Sequence, residues 1–111
     1  MPKFITIGYG DRKGYDRTPE PLREAAHAHD KVLRDRGALM GVAGAPMQVR
    51  NHQDQYVQTE EGPYMTSQLP VAGFAVIEAS TIDEAIRMVS QSPCAVANGV
   101  VEVWPLDVGA A

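Results

Sequence analysis

The segment that most constrains the fold of this chain is the apolar run over residues 71–79. Its length and its content of Val, Ile and Phe predict a β-strand. Because successive side chains of a strand point to opposite faces, Phe74 and Val76 share one face, and Ala75 and Ile77 share the other. Both faces of the predicted strand are therefore apolar, and each needs a cover that keeps it from water.

Helix and strand signals alternate along the rest of the chain. Thr18 and Pro19 mark the start of a first helix, and Gly37 marks its end. The segment Thr81-Ile82-Asp83-Glu84 has the pattern of a capping box and starts a second helix. In chain order we expect a strand at 3–9, a polar loop through residue 16, a helix at 19–36, a strand at 38–43, a hairpin that pairs 47–50 with 55–58, a loop at 59–70, the strand at 71–79, a helix from 81 to near 92 and a strand at 99–105.

This order of elements gives two β-α-β halves, which is the ferredoxin-like β-α-β-β-α-β plan with an extra β-hairpin. A chain of 111 residues has the size of one domain. We therefore expect residues 1–111 to form a single α+β domain.

Each predicted helix carries one apolar stripe, which fits both helices to the same face of the sheet. The stripe positions are Leu22, Ala25, Ala26, His29, Val32 and Leu33 in the first helix and Ile82, Ala85, Ile86 and Val89 in the second. The second face of the sheet then stays as an apolar patch of a kind that soluble monomers rarely expose. A symmetric partner that lays its own sheet against this face is the simplest cover, so the sequence predicts a two-fold homodimer.

Composition and charge exclude two classes of partner. The formal net charge is −4 and the ten Lys and Arg residues are scattered, so the chain lacks the basic patch of a nucleic-acid binder. No window approaches the roughly 18 apolar residues of a membrane span. The N-terminus lacks the apolar core and cleavage site of a signal peptide, and the single cysteine, Cys94, fits a reducing compartment. We expect a cytoplasmic protein with neither nucleic acid nor membrane as a partner.

Five segments, in order along the chain, carry a family pattern. They are residues 3–11, 61–64, 73–78, 80–85 and 99–106, and nine residues separate Pro63 from Gly73. Together they resemble the YCII-related proteins of the DGPF type, with Glu61-Gly62-Pro63-Tyr64 in place of the Asp-Gly-Pro-Phe signature. The resemblance implies a dimeric α/β barrel built from ferredoxin-like subunits. Relatives in this superfamily include small isomerases, lyases and cofactor-independent monooxygenases.

The sequence departs from this family directly after the signature. The family commonly has Ala-Glu-Thr-Lys-Glu there, whereas this chain has Met65, Thr66, Ser67, Gln68 and Leu69. Three charges are missing. If these charges have a role in relatives, residues 65–69 of this chain are not expected to perform it in the same way.

His29 and Asp11 are the candidate catalytic residues. His29 lies at the centre of the apolar stripe of the first helix, where an imidazole faces the sheet or a cavity and can exchange protons near neutral pH. The alternative is a core histidine bonded to a backbone carbonyl. In the YCII branch a helix-one His and a nearby Asp are proposed as an acid–base pair. Here Asp30 and Asp35 lie about 100° and 240° around the helix from His29, so a partner carboxylate has to come from elsewhere, such as Asp11 at the end of the first strand.

Tyr9, Tyr64 and Phe74 are the candidate substrate-binding residues. Tyr9 stands at the end of the first strand, where a cleft between sheet and helix opens, and its phenol would orient a polar substrate. Tyr64 and Phe74 would line a pocket. The alternative for Tyr9 is turn chemistry, since Gly10 and Asp11 end the first strand. The alternative for Tyr64 and Phe74 is packing, because aromatic side chains beside a Gly-Pro turn often serve only that purpose.

No metal site or cofactor is expected. His27 and His29 point to nearly opposite sides of the first helix, and His52 lies in the turn of the hairpin. These positions do not converge on one ion.

Two hypotheses for function remain open. The first is a homodimer that binds a small cyclic or aromatic metabolite between sheet and helices or at the dimer mouth, with cofactor-independent acid–base chemistry of an isomerase, lyase or monooxygenase-like kind. It predicts a cavity of several hundred Å³ with convergent polar groups. The second is a non-catalytic dimeric interaction or regulatory module, which predicts a filled space and a His29 bonded to backbone.

Overall fold

A computed structural model describes residues 1–109 and shows a mixed α+β fold. The strands β1 (Lys3–Tyr9), β2 (Leu39–Val42), β5 (Val71–Glu78) and β6 (Val100–Leu106) form an antiparallel main sheet in the spatial order β2-β5-β1-β6. Within the described residues, β3 (Met47–Arg50) and β4 (Gln58–Glu61) pair only with each other. We call residues 47–61 the arm. The helices are α1 (Arg12–Asp16), α2 (Glu20–Asp35), α3 (Ile82–Val89) and α4 (Pro93–Val96).

The hydrophobic core lies on one face of the main sheet, which we call the covered face. Phe4 of β1 stands opposite Ile77 of β5, and both side chains are buried. Ala85 and Val89 of α3 pack into the same cluster. The helices thus supply the apolar cover that one side of the strand at 71–79 requires.

The opposite face of the main sheet, the open face, carries apolar side chains that stay exposed. Leu39 is 74% exposed, Phe74 is 49% exposed and Trp104 is 56% exposed. In the register of the sheet, their neighbours on this face are Val76, Ile7 and Ile5. The expected alternation along β5 is therefore confirmed, with Phe74 on the open face and Ile77 on the covered face.

The start of α2 differs from the sequence prediction. Thr18 is buried and does not cap the helix, because its hydroxyl donates to the Gly14 carbonyl oxygen at 2.8 Å. The predicted polar loop contains the short helix α1, whose N-terminus is capped by the Asp11 carboxylate. The end of α2 is as expected: Gly37 has φ of +104°, a left-handed conformation that glycine adopts without strain.

The apolar stripe of α2 is narrower than predicted. Ala26 and Leu33 are buried, whereas Leu22 and Val32 are exposed and His29 is half-buried. Helix α2 therefore covers its part of the sheet incompletely, which leaves room beneath it.

The second predicted helix is two helices in the structure. The Thr81 hydroxyl caps α3 by accepting a bond from the Glu84 backbone N–H at 3.1 Å, as the capping box predicts. Helix α3 ends at Val89, and Ser92 folds back to donate both its N–H and its hydroxyl to the Val89 carbonyl. Pro93 then begins α4. None of the helices described within residues 1–109 is long and apolar enough to cross a membrane.

The arm is the predicted hairpin with a shifted second strand. Met47 stands opposite Glu61 and Arg50 opposite Gln58, so the second strand begins three residues later than the expected 55. The turn is longer because residues His52–Asp54 form a 3-10 turn, within which Gln53 and Asp54 adopt positive φ.

Candidate functional site

The residues singled out from the sequence do not converge on one place. The side chain of His29, on α2, contacts α3, and Asp11 lies at the N-terminus of α1. Tyr9 and Tyr64 belong to the open-face side, whereas Phe74 borders cavities on both sides of the sheet.

His29 makes the backbone contact expected of a core histidine. Its Nε2 lies 2.5 Å from the carbonyl oxygen of Met88. Because a carbonyl oxygen only accepts, Nε2 must carry the proton, which leaves Nδ1 as the free acceptor in the neutral ring. This bond ties α2 to α3 and fixes the ring, and the catalytic role of His29 stays a prediction.

Asp11 serves the local structure. Its Oδ1 accepts a hydrogen bond of 2.8 Å from the Gly14 backbone N–H, which is the contact of an N-cap. The carboxylate is thus engaged at the first turn of α1, and the structure does not bring it to His29.

A cavity of about 310 Å³ opens between the covered face and α2. We call it the sheet–helix cavity. Its floor is apolar or small, with Ala75 and Ile77 beside Gly8 and Gly73. Its polar groups come from the sheet, from α2 and from the N-terminal end of α4, and they are Thr6, His27, Asp30, Arg34, Ser92 and Cys94.

Asp30 is the carboxyl group of this cavity, and sequence reasoning missed it. The side chain is half-buried, and this burial raises the pKa of Asp30 above its usual value, although the charges of Arg34, His27 and His29 act in the opposite direction. The spacing of Asp30 from the apolar residues of α2 could have indicated its position. Asp30 follows buried Ala26 by four positions and precedes buried Leu33 by three, so it lies on the buried side of α2, next to the line that joins these two residues.

Cys94 lies at the same cavity, against the floor. Burial, together with the negative charge of Asp30, raises the pKa of the Cys94 thiol. A Cβ added at Gly8 would lie 2.7 Å from the Cys94 Sγ, so any larger residue there requires the thiol to shift. A thiol with a raised pKa stays protonated at neutral pH, which makes Cys94 a poor nucleophile.

His27 stands at the exposed rim of the cavity. Its Nε2 lies 3.0 Å from the Tyr15 hydroxyl, and the Arg23 guanidinium lies over the Tyr15 ring at 4.8 Å from the ring centroid. These contacts link α1 to α2 and fix the imidazole beside Asp30, which is three positions away on the same helix.

A second cavity lies on the open-face side, between the main sheet and the base of the arm. This groove, the open-face groove, has a volume of about 860 Å³. Tyr64, Met65 and Phe74 line it, together with Pro46 and Pro63. Two of the three aromatic residues predicted to bind substrate therefore do share a cavity.

Tyr9 lies next to this groove rather than in the sheet–helix cavity. Its hydroxyl donates to Glu102 Oε1 at 2.5 Å and lies 3.6 Å from the Met65 sulfur. The hydrogen bond to Glu102 raises the pKa of Tyr9, and burial and the negative charge of the carboxylate act in the same direction. Tyr9 therefore stays a neutral donor whose proton is directed to Glu102.

No group of three or more His, Cys, Asp and Glu side chains among residues 1–109 is arranged to hold a metal ion. A scan against models of known protein families finds no match, and a search of curated proteins finds no similar protein.

Proposed function

We propose that the protein is a cytoplasmic homodimer, of ferredoxin-like subunits akin to the YCII-related proteins of the DGPF type. In this proposal each subunit binds a small cyclic or aromatic metabolite in its sheet–helix cavity and moves a proton at Asp30. The observation that carries the proposal is a half-buried carboxyl with a raised pKa above the apolar floor of a cavity of about 310 Å³.

The size and lining of the cavity support a small ligand. Its volume lies at the lower end of the range that ligand sites occupy, which suits a molecule of one or two rings. Ala75, Ile77 and Val101 offer apolar contact to a ring, while Thr6 and Ser92 offer hydroxyl groups to its substituents.

The position of Asp30 supports acid–base chemistry without a cofactor. A carboxyl group exchanges protons most effectively when its pKa lies near the working pH, and burial moves Asp30 in that direction. A carboxylate in this place is suited to removing a proton from a carbon next to a carbonyl and returning it elsewhere, as an isomerase or lyase does.

The strand order supports the proposed subunit. The order β2-β5-β1-β6, antiparallel throughout and with its core on one face, is the order that two β-α-β halves produce. The exposed Leu39, Phe74 and Trp104 of the open face support a partner that covers them.

The non-catalytic module remains the second candidate, and the bond between His29 and the Met88 carbonyl favours it. That hypothesis also required a filled space between sheet and helices. The sheet–helix cavity does not meet this requirement, so ligand binding is the better supported function.

The proposal is tested by a thermal-shift screen of small aromatic acids, quinones and lactones against the wild type, Asp30→Asn and Asp35→Asn. Asp35 is the matched control, because it lies on the same helix but is exposed and paired with Lys31 at 2.8 Å. We expect a ligand that raises Tm with the logarithm of its concentration. Its affinity should depend on pH in the wild type and in Asp35→Asn but not in Asp30→Asn.

Two results would count against this function. A chain whose Tm no compound raises has no ligand site of this kind. An unchanged pH dependence of binding in Asp30→Asn would remove Asp30 from the chemistry.

A further inference from the structure

The sheet–helix cavity carries a fixed positive charge. Among the described residues that line it, Arg34 of α2 is the only lysine or arginine. The side chain is exposed as well as part of the lining, so it lies at the opening of the cavity rather than on the floor. A guanidinium keeps its proton throughout the physiological pH range. A ligand that enters the cavity therefore meets a positive charge there.

Arg34 has no counter-charge in direct contact among residues 1–109. The acidic side chain next to it in sequence, Asp35, is bonded to Lys31 at 2.8 Å. None of the ion pairs in this part of the chain includes Arg34. The charge of Arg34 is therefore available to an anion from outside the chain.

Arg34 and Asp30 lie on the same side of α2. They are four positions apart, which separates them by about 6 Å along the helix axis, and both line the cavity. Burial raises the pKa of Asp30, and the charge of Arg34 is the largest influence in the opposite direction. The two groups thus interact, although they form no ion pair. A ligand in this part of the cavity can contact both groups.

The geometry of a guanidinium favours a carboxylate as the group that it binds. Its planar N–H donors match the two oxygens of a carboxylate, and the opposite charges strengthen both hydrogen bonds. A carboxylate held at Arg34 leaves the rest of the molecule to reach Asp30 and the apolar floor at Ala75 and Ile77. An amine at the same place would be repelled by Arg34.

A bound anion also suits the proposed role of Asp30. It cancels the positive charge that opposes the effect of burial on the pKa of Asp30. The Asp30 carboxylate is then a stronger base when the ligand is in place.

We propose that Arg34 binds a carboxylate of the ligand, and that the sheet–helix cavity therefore takes small cyclic or aromatic carboxylic acids. This inference rests on the proposed function and narrows its substrate class, because quinones and lactones lack the charge that Arg34 recognises. Arg34 sets the specificity of the site, whereas the proton moves at Asp30.

Calorimetric titration with pairs of acid and amide tests this assignment. The probes are benzoate, salicylate and naphthoate, each compared with its neutral amide, which keeps the ring and removes the charge. The proteins are the wild type, Arg34→Gln and Arg36→Gln. Arg36 is the matched control, because it is exposed at the end of the same helix and does not line the cavity.

We expect the acids to bind the wild type about tenfold tighter than their amides, since the amide lacks the charged hydrogen bonds to Arg34. Arg36→Gln should keep this preference within about twofold, because an exposed charge outside the site is screened by salt. Arg34→Gln should lose the preference and bind the amides as the wild type does. Without ligand, Arg34→Gln should keep the wild-type Tm, because the side chain is exposed.

The outcomes separate the carboxylate site from the proposed function. Equal binding of acids and amides, ligands found only among quinones or lactones, or a preference that survives in Arg34→Gln or falls equally in Arg36→Gln overturns the inference and leaves the proposed ligand site standing. A chain that binds none of these compounds overturns both. A preference lost only in Arg34→Gln supports the inference, even where Asp30→Asn shows that the proton does not move at Asp30.

Discussion

The two faces of the main sheet have nearly the same apolar character and opposite surroundings. On the covered face Ile77 is buried beneath α3, and on the open face Trp104 is 56% exposed. The covered face also holds the polar cavity groups, because α2 does not seal it completely. The covered face builds the core and the proposed ligand site, and the open face is the surface that a second copy would cover in the proposed dimer.

The largest expected effect is a difference in stability between two Ile→Ala substitutions, one on each face of the main sheet. Ile77→Ala creates a cavity in the core and should lower the free energy of unfolding by roughly 2–5 kcal/mol. Ile5→Ala, on the half-buried open face, should cost only about 1 kcal/mol in the dilute chain. Urea denaturation measures both. Equal losses in the free energy of unfolding at low protein concentration would contradict the difference between the two faces. A loss from Ile5→Ala that grows with protein concentration would support a second copy that covers the open face.

The next effect concerns the floor of the sheet–helix cavity. Gly8→Ala places a Cβ 2.7 Å from the Cys94 Sγ, and we expect a loss of roughly 1–3 kcal/mol from overpacking. Gly10→Ala is the control, since its Cβ would meet no atom within 4 Å. Equal thermal stability of the two variants would show that Cys94 has room to move aside.

A smaller effect is the pH dependence of stability that Asp30 causes. Because its folded pKa is raised by burial, ionisation is less favourable in the folded chain than in the unfolded chain. Asp30 therefore lowers stability once the pH rises above its folded pKa, and this penalty is absent below the unfolded value. Asp30→Asn should stabilise the protein at pH 7 and be neutral in acid, as measured by denaturation at both pH values. A destabilised Asp30→Asn at pH 7 would mean that the carboxylate is held by favourable contacts instead.

The smallest effect is a titration on the open-face side. The hydrogen bond to Glu102 raises the pKa of Tyr9, so Tyr9 should ionise above the ordinary tyrosine pKa. The stability that this bond contributes is present below the ordinary tyrosine pKa and is lost as pH rises through the raised value. Glu102→Gln should lower the Tyr9 pKa, which ultraviolet absorbance follows. An unchanged titration curve would show that the carboxylate does not hold the phenol.

The fold was largely predictable because its signals are local and strong. Thr81 and Gly37 marked helix ends correctly, and the alternation in 71–79 assigned Phe74 and Ile77 to their faces. The errors arose where a tertiary contact outweighed a local signal. Thr18 looked like a cap, but it bonds to Gly14 instead.

The candidate site was less predictable because it depends on which side of α2 meets the sheet. If His29 is taken as the centre of the apolar stripe, Asp30 is predicted to point away from the core. In the structure the buried line of α2 runs through Ala26 and Leu33, and His29 and Asp30 lie on either side of this line. When the apolar stripe of a helix is only partly buried, residue spacing alone cannot decide which of two adjacent residues faces the sheet.

The fluorescence of Trp104 on dilution tests the central claim most directly. It is the single tryptophan of the chain, and it lies on the open face. If a second copy covers this face, emission at high concentration should be that of a buried indole and should shift to the red as the chain is diluted through its dissociation constant. Emission of a solvent-exposed indole at every concentration would contradict the account.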